Sequence, residues 1–168
     1  RYSTDDLAAL AMAGSIFISI YVGLTGVISA LAPIAGQLFG AKRFSDIGEE
    51  VRQGWWLSLG LSIFGMLILM NPGVFLSIAN ASPEVEAKAI LYLQIVAWGL
   101  PASLAMRVLV AFHNAISKPA VVTWLQIGGL FLKIPLNAWL IYGGLGVDAM
   151  GGPGCALATV IINWLWFL

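Results

Sequence analysis

Between Asp6 and Lys42 the chain reads LAALAMAGSIFISIYVGLTGVISALAPIAGQLF (Leu7 to Phe39) and then Gly40-Ala41, without a single charged side chain. A helix rises ~1.5 Å per residue, so this run is longer than the ~30 Å hydrocarbon core of a bilayer requires. It must tilt, bend or protrude. Pro33 supplies a bend, because proline has no backbone N–H to donate and its ring crowds the preceding turn. Gly23, Thr25, Gly26 and Ser29 permit close approach of another helix. The spacings Gly36-x-x-x-Gly40 and Ser15, Ser19, Gly23 fit the same kind of packing.

Charges punctuate the rest of the chain, since Lys, Arg, Asp and Glu are costly at the bilayer centre and collect at helix ends and in loops. The intervals between them predict spans at about 7–39, 51–70, 89–112, 120–142 and 153–168, all in one transmembrane domain. A polar loop, Gly40 to Glu50, separates the first two, and Trp55 and Trp56 sit near the interface where the second begins. Asn71-Pro72-Gly73 is a turn signal. Ser82-Pro83-Glu84-Val85-Glu86 has the cap, the proline at the first helical position and the early acids that start a helix. His113 to Pro119 is a tight connection that permits only an antiparallel return. A glycine-rich loop from Gly143 to Gly154 precedes the last span. The predicted class is all-α, a polytopic transmembrane helical bundle.

Composition agrees. The 168 residues are 60% hydrophobic and 10% charged with a mean hydropathy of +0.94, whereas soluble domains carry ~25% charged residues. Zero net charge excludes a basic nucleic-acid surface. Cys155 is alone, so neither an internal disulfide nor a cysteine-based metal site is available. The opening Arg1-Tyr2-Ser3-Thr4-Asp5-Asp6 is not the start of a signal peptide, and the chain reads as an internal piece of a longer membrane protein. Lys42, Arg43, Arg52 and Lys118 lie in loops on one side and only Arg1 and Lys88 on the other, so the first group is expected in the cytoplasm. The chain would then begin outside, and a preceding helix is expected.

Two basic residues interrupt apolar segments, and an ionisable group in a span must face protein or water. They are Arg107 and Lys133. Lys133 shares a helix face with Asn137 at i+4 and with Gln126 one heptad earlier, and Pro135 between them is expected to bend the helix and free a backbone carbonyl. Ser103, Arg107 and Asn114 share a face on the preceding span, below a kink expected at Pro101. Both faces are expected to line one polar pathway. The alternative for Arg107 is snorkelling to the cytoplasmic interface, and for His113, at a helix end, a structural role at the negative pole of the dipole. Catalytic constellations are nearly absent: the acid pairs Asp5/Asp6 and Glu49/Glu50 diverge on a helix, and His113 lacks a buried setting for a serine partner. No metal-ligand spacing occurs, so an enzyme is not expected.

Several words stand in a specific order: Ala32-Pro33-Ile34-Ala35-Gly36-Gln37-Leu38-Phe39-Gly40-Ala41-Lys42-Arg43, then Val51-Arg52-Gln53-Gly54-Trp55-Trp56, then Ile134-Pro135-Leu136-Asn137 leading to Ile141-Tyr142-Gly143, then Gly151-Gly152-Pro153-Gly154-Cys155-Ala156-Leu157-Ala158-Thr159. Along essentially its whole length the chain resembles the multidrug and toxic compound extrusion (MATE) transporters of the bacterial NorM type. The resemblance implies helices two to six of a twelve-helix protein of two lobes, in a bacterial inner membrane. Its expected activity is export of amphipathic, often cationic drugs by alternating access, in exchange for protons or sodium and without a bound cofactor. Expected partners are those small molecules, the lipid bilayer and the remaining helices. A lipid-linked oligosaccharide exporter of the same superfamily, or a non-transporting membrane scaffold, is the alternative.

By that resemblance Arg107 matches an arginine in the family's fourth helix, and Thr159 on the sixth helix points into the lobe with Asn137. An asparagine is usual where Lys133 stands, so Lys133 departs from the pattern. The family's coupling carboxylate belongs to helix one, which these residues do not contain. Pairing of Lys133 with such a carboxylate would lower the acid's pKa and occupy a sodium ion's place, favouring protons as the coupling ion.

Overall fold

A computed structural model describes residues 4–73, 75–76, 82–143 and 152–167. The described elements are helices: α1 (Thr4–Ser29), α2 (Leu31–Gly40), α3 (Phe44–Met70), α4 (Pro83–Ala97), α5 (Leu100–Ala115), α6 (Pro119–Tyr142) and α7 (Gly152–Phe167). The all-α transmembrane bundle is what the charge spacing predicts.

The first run is a helix broken at Ala30. Pro33 has no N–H for the Ser29 carbonyl one turn back, and Ala30 N instead donates to the Val27 carbonyl at 3.3 Å, a tighter turn. Beyond it the helix resumes, and Ala8–Gly40 forms one apolar stretch of 33 residues. α3 (Phe44–Met70) and Pro119–Ile141 are also long and apolar enough to cross a bilayer. α4 and α5 together make a fourth crossing, bent by 48°. Its break follows the same rule, because Pro101 cannot donate to Ala97. Trp98 N and Gly99 N turn back to the Ile95 and Val96 carbonyls at 3.2 and 2.9 Å.

Two local expectations change. The polar stretch Gly40 to Glu50 is a loop only at 41–43; from Phe44 it is already helix, held by Asp46 and Glu49 pairing with Arg43 and Arg52 on its own surface. Pro135 produces no break, and α6 runs through it from Pro119 to Tyr142.

α5 stands at the centre, touching α1, α2, α3, α6 and α7. Leu24, Ile28, Leu69, Leu93, Leu100 and Leu104 fill the core around it. The glycines that matter for this packing are not those of α1 and α2. Gly23, Gly26, Gly36 and Gly40 face open space, whereas a Cβ on Gly65 would lie 2.6 Å from Leu24 Cδ1 and one on Gly54 3.0 Å from Leu31 Cδ2. Ser15 and Ser19 donate to the carbonyls of Ala11 and Ser15 on their own helix instead of to a neighbour.

A Cβ on Gly54 would also lie 3.2 Å from Val108 Cγ1, which marks one level of the bundle. From there α3 runs back to Phe44, while α2 and α5 run on to Gly40 and Ala115, so residues 41–43 and 116–118 emerge at the same end. Both loops are built alike. Lys42 and Ser117 adopt φ 59° and 58°. Arg43 N donates to Leu38 O at 2.9 Å and Lys42 N to Phe39 O at 3.0 Å. Lys118 N donates to His113 O at 2.9 Å and Ser117 N to Asn114 O at 3.2 Å. Each is a Schellman cap with a non-glycine in the left-handed position.

Outward faces are apolar: Trp124 is 73% and Phe131 72% exposed on α6. Such a surface is tolerable against lipid and not against water. The chain is a multi-pass membrane protein segment.

Candidate functional site

The break between α4 and α5 organises the polar groups of the bundle. Gly99 lets α7 sit close, since a Cβ there would lie 3.1 Å from Val160 Cγ2. Two side chains of α7 then reach this break, one directly at a carbonyl and one through Ser103. Trp164 Nε1 donates to the Trp98 carbonyl at 3.0 Å. Asn163 Nδ2 donates at 2.6 Å to Ser103 Oγ, which itself donates to the Gly99 carbonyl at 2.7 Å. A kink that exposes backbone polar groups at membrane depth is satisfied by the neighbouring helix, as lipid offers no partner.

One turn further along α5 lies Arg107. Its Nε donates to the Tyr21 hydroxyl at 3.0 Å, and its guanidinium carbon stands 5.5 Å from the centre of the same ring. Phe17 stacks on Tyr21 at 5.5 Å and steadies the ring. Arg107, Tyr21, Ser103, Gln126, Asn163 and Trp166 line a cavity of about 90 Å³ between α1, α5, α6 and α7, with Met106 and Val110 as its apolar wall. Against Gly129 of α6 lies the indole of Trp166, so close that no side chain fits at that position.

The structure therefore brings together Ser103, Arg107 and Gln126 from the two predicted faces. It does not bring the others in. Lys133 is half-buried on α6, without a hydrogen bond or ion pair to any described residue. Asn137 carries a buried Oδ1 with no donor. Thr159 Oγ1 donates to the Cys155 carbonyl at 3.0 Å, on its own helix. Asn114 is exposed. His113 Nδ1 lies 2.8 Å from the Leu109 carbonyl, a local bond at the end of α5. Of the three expected bends, Pro33 and Pro101 accompany breaks and Pro135 does not.

Sequence reasoning passed over Tyr21, Asn163 and Trp166. Asn163 was detectable as an uncharged polar residue inside the apolar α7, one turn beyond Thr159; Tyr21 carries a hydroxyl in a charge-free run and gave no comparable signal. A larger cavity of about 310 Å³ between α3, α5 and α7 is apolar, with Trp55, Trp56, Trp164 and Phe167 among its walls. Ser58 and Ser62 on the same wall are bonded to carbonyls of α3. Among the described residues no three His, Cys, Asp or Glu side chains come together as metal ligands.

Comparison with known proteins follows the same lines. The MatE family profile matches residues 1–139. The probable multidrug resistance protein NorM of Aromatoleum aromaticum is 38% identical over 167 residues, 99% of this chain and 36% of that protein. The probable NorM of Neisseria meningitidis serogroup A is 34% identical over 163 residues, 95% of this chain and 35% of that protein. Multidrug resistance protein MdtK of Yersinia pestis is 37% identical over 167 residues, again 99% and 36%. A solved structure described as protein C superposes with a TM-score of 0.80 at 31% identity, over 97% of this chain and 36% of that one. The chain spans a little over a third of the length of these relatives. With a family profile reaching across most of the chain and a fold that superposes almost end to end, the bundle described here belongs to the MatE family.

Proposed function

We propose that the chain is part of the amino-terminal lobe of a multidrug efflux antiporter in a bacterial inner membrane. It would export amphipathic, often cationic compounds in exchange for protons or sodium by alternating access. The observation that carries this reading is identity of 34–38% along nearly the whole chain to proteins named for multidrug resistance. A polar pocket between helices, beside the bent α4–α5 pair, is compatible with such a cycle. Ring faces and scattered polar groups can hold amphipathic cations without a rigid constellation, which suits permissive recognition.

For coupling, Lys133 is assigned to a carboxylate on a helix outside these residues, with Asn137 and Thr159 near the same pathway. In favour, the ammonium has no ion-pair partner among the described residues and Asn137 Oδ1, one turn on, is buried without a donor. A lysine in that place would occupy the space a sodium ion would use and favours protons as the coupling ion.

The test uses the full-length transporter in proteoliposomes, with a cationic dye and with a lipid-linked oligosaccharide as alternative cargo, under separately imposed proton and sodium gradients. Dye export driven by the proton gradient is expected. Movement of the oligosaccharide alone would move the reading to a polysaccharide exporter. Lys133→Asn is expected to shift preference toward sodium; an unchanged preference removes the coupling argument.

A further inference from the structure

We propose that Arg107, held by Tyr21 and flanked by Gln126, forms a subsite for the carboxylate of a zwitterionic or anionic amphiphile; this deepens the efflux reading and rests on it. The argument begins with charge. Arg107 is always protonated and has five N–H donors. Only Nε is engaged, by the neutral Tyr21 hydroxyl, and no acid pairs with the guanidinium among the described residues. The sequences of α5, α6 and α7 contain no Asp or Glu. On α1 the acids are Asp5 and Asp6, at least fifteen residues before Tyr21, which along a helix is about 22 Å. The four helices around this cavity therefore present a cation and no anion near it.

Arg107 is exposed, with its terminal N–H groups uncommitted among the described residues, and planar, bidentate recognition of an oxyanion is what this free edge offers. Tyr21 fixes the group from one side through both the Nε bond and the ring face. Gln126 adds an amide donor that no described residue uses, from the facing helix. Size limits the occupant. The cavity of about 90 Å³ is well below the ~300 Å³ or more of a drug-sized site. It holds a carboxylate and not a whole drug, whose apolar body would extend past Trp166, Met106 and Val110.

The experiment compares one fluorescent amphiphile carrying an amine and a carboxylic acid with its methyl ester. Both are titrated against the purified full-length transporter in detergent. Arg107→Gln is expected to reduce the acid-to-ester ratio of affinities by about tenfold, the scale of a charge-assisted pair. Tyr21→Phe is expected to reduce it about threefold, as the guanidinium loses its anchor. Arg107→Lys retains part of the preference and serves where Arg107→Gln does not fold. An unchanged ratio in both Tyr21→Phe and the Arg107 variant that folds overturns the proposal. Adding an anionic phospholipid to the micelle distinguishes a lipid phosphate from the ligand's own carboxylate: loss of the acid preference gives the site to lipid and also overturns it. Failure of the wild-type protein to export either compound would instead refute transport, and the binding ratio would still report on the subsite.

Discussion

Replacing Asn163 by leucine removes one of the two side chains that join α7 to the break between α4 and α5. In the structure Asn163 Nδ2 donates a 2.6 Å hydrogen bond to Ser103 Oγ, and that hydroxyl donates in turn to the Gly99 carbonyl. Hydrogen bonds between membrane helices average ~0.6 kcal/mol and reach ~1.7, because the alternatives inside a bilayer are few but not absent. The short distance and the part-buried setting place this one in the upper half, about 1 kcal/mol, a factor of about five in the folding equilibrium. The clean measurement is a double-mutant cycle of Asn163→Leu with Ser103→Ala, read by reversible SDS-induced unfolding of the full-length transporter in mixed micelles. A coupling near 1 kcal/mol is expected, in the lower part of the ~0.5–3 kcal/mol range for residues in contact. As a control, Asn163→Leu with Ser15→Ala should be additive, since Ser15 bonds only to Ala11 on an exposed face. A Ser103–Asn163 coupling within ~0.3 kcal/mol of zero would refute the reasoning, as that is the scatter of independent sites.

Gly129→Leu puts a side chain where the Trp166 indole lies and is expected to cost about 1–3 kcal/mol as overpacking between α6 and α7, with a change in tryptophan emission; unchanged stability and emission would contradict the contact. Ser117→Gly relieves a left-handed residue at the α5 cap and is expected to be neutral or stabilising by up to ~1 kcal/mol, whereas Ser117→Val should destabilise, both read from the unfolding midpoint. In a Cys155→Ser background, cysteines at Ser45 and Ser117 are expected to react with a membrane-impermeant maleimide from the same side and one at Glu84 from the other; labelling of Ser45 and Ser117 from opposite sides would disprove the shared end of the two loops.

What the sequence by itself determined is whatever a single helix decides on its own. Runs such as Leu7 to Phe39 must satisfy their backbone bonds internally in lipid, so they are helices wherever they meet bilayer. Pro33 and Pro101 break the ladder because the missing N–H belongs to the residue itself. Lys42, Arg43 and Lys118 mark one end by where charge is tolerated. Even here, Gly40 to Glu50 misled, because a polar helix end and a polar loop have the same composition.

Only the tertiary structure decided which residues meet. Arg107 finds Tyr21 across 86 positions and Asn163 finds Ser103 across 60. Gln126 reaches the cavity while Lys133, on the same helical stripe, does not. Small residues recur on α1 and α2, yet close approach falls at Gly54, Gly65, Gly99 and Gly129. The reason is geometric. Spacing specifies which residues share a face of one helix, but the rotation, depth and bend at which that face meets another are set by all the helices at once, and in lipid no hydrophobic gradient marks which side turns inward.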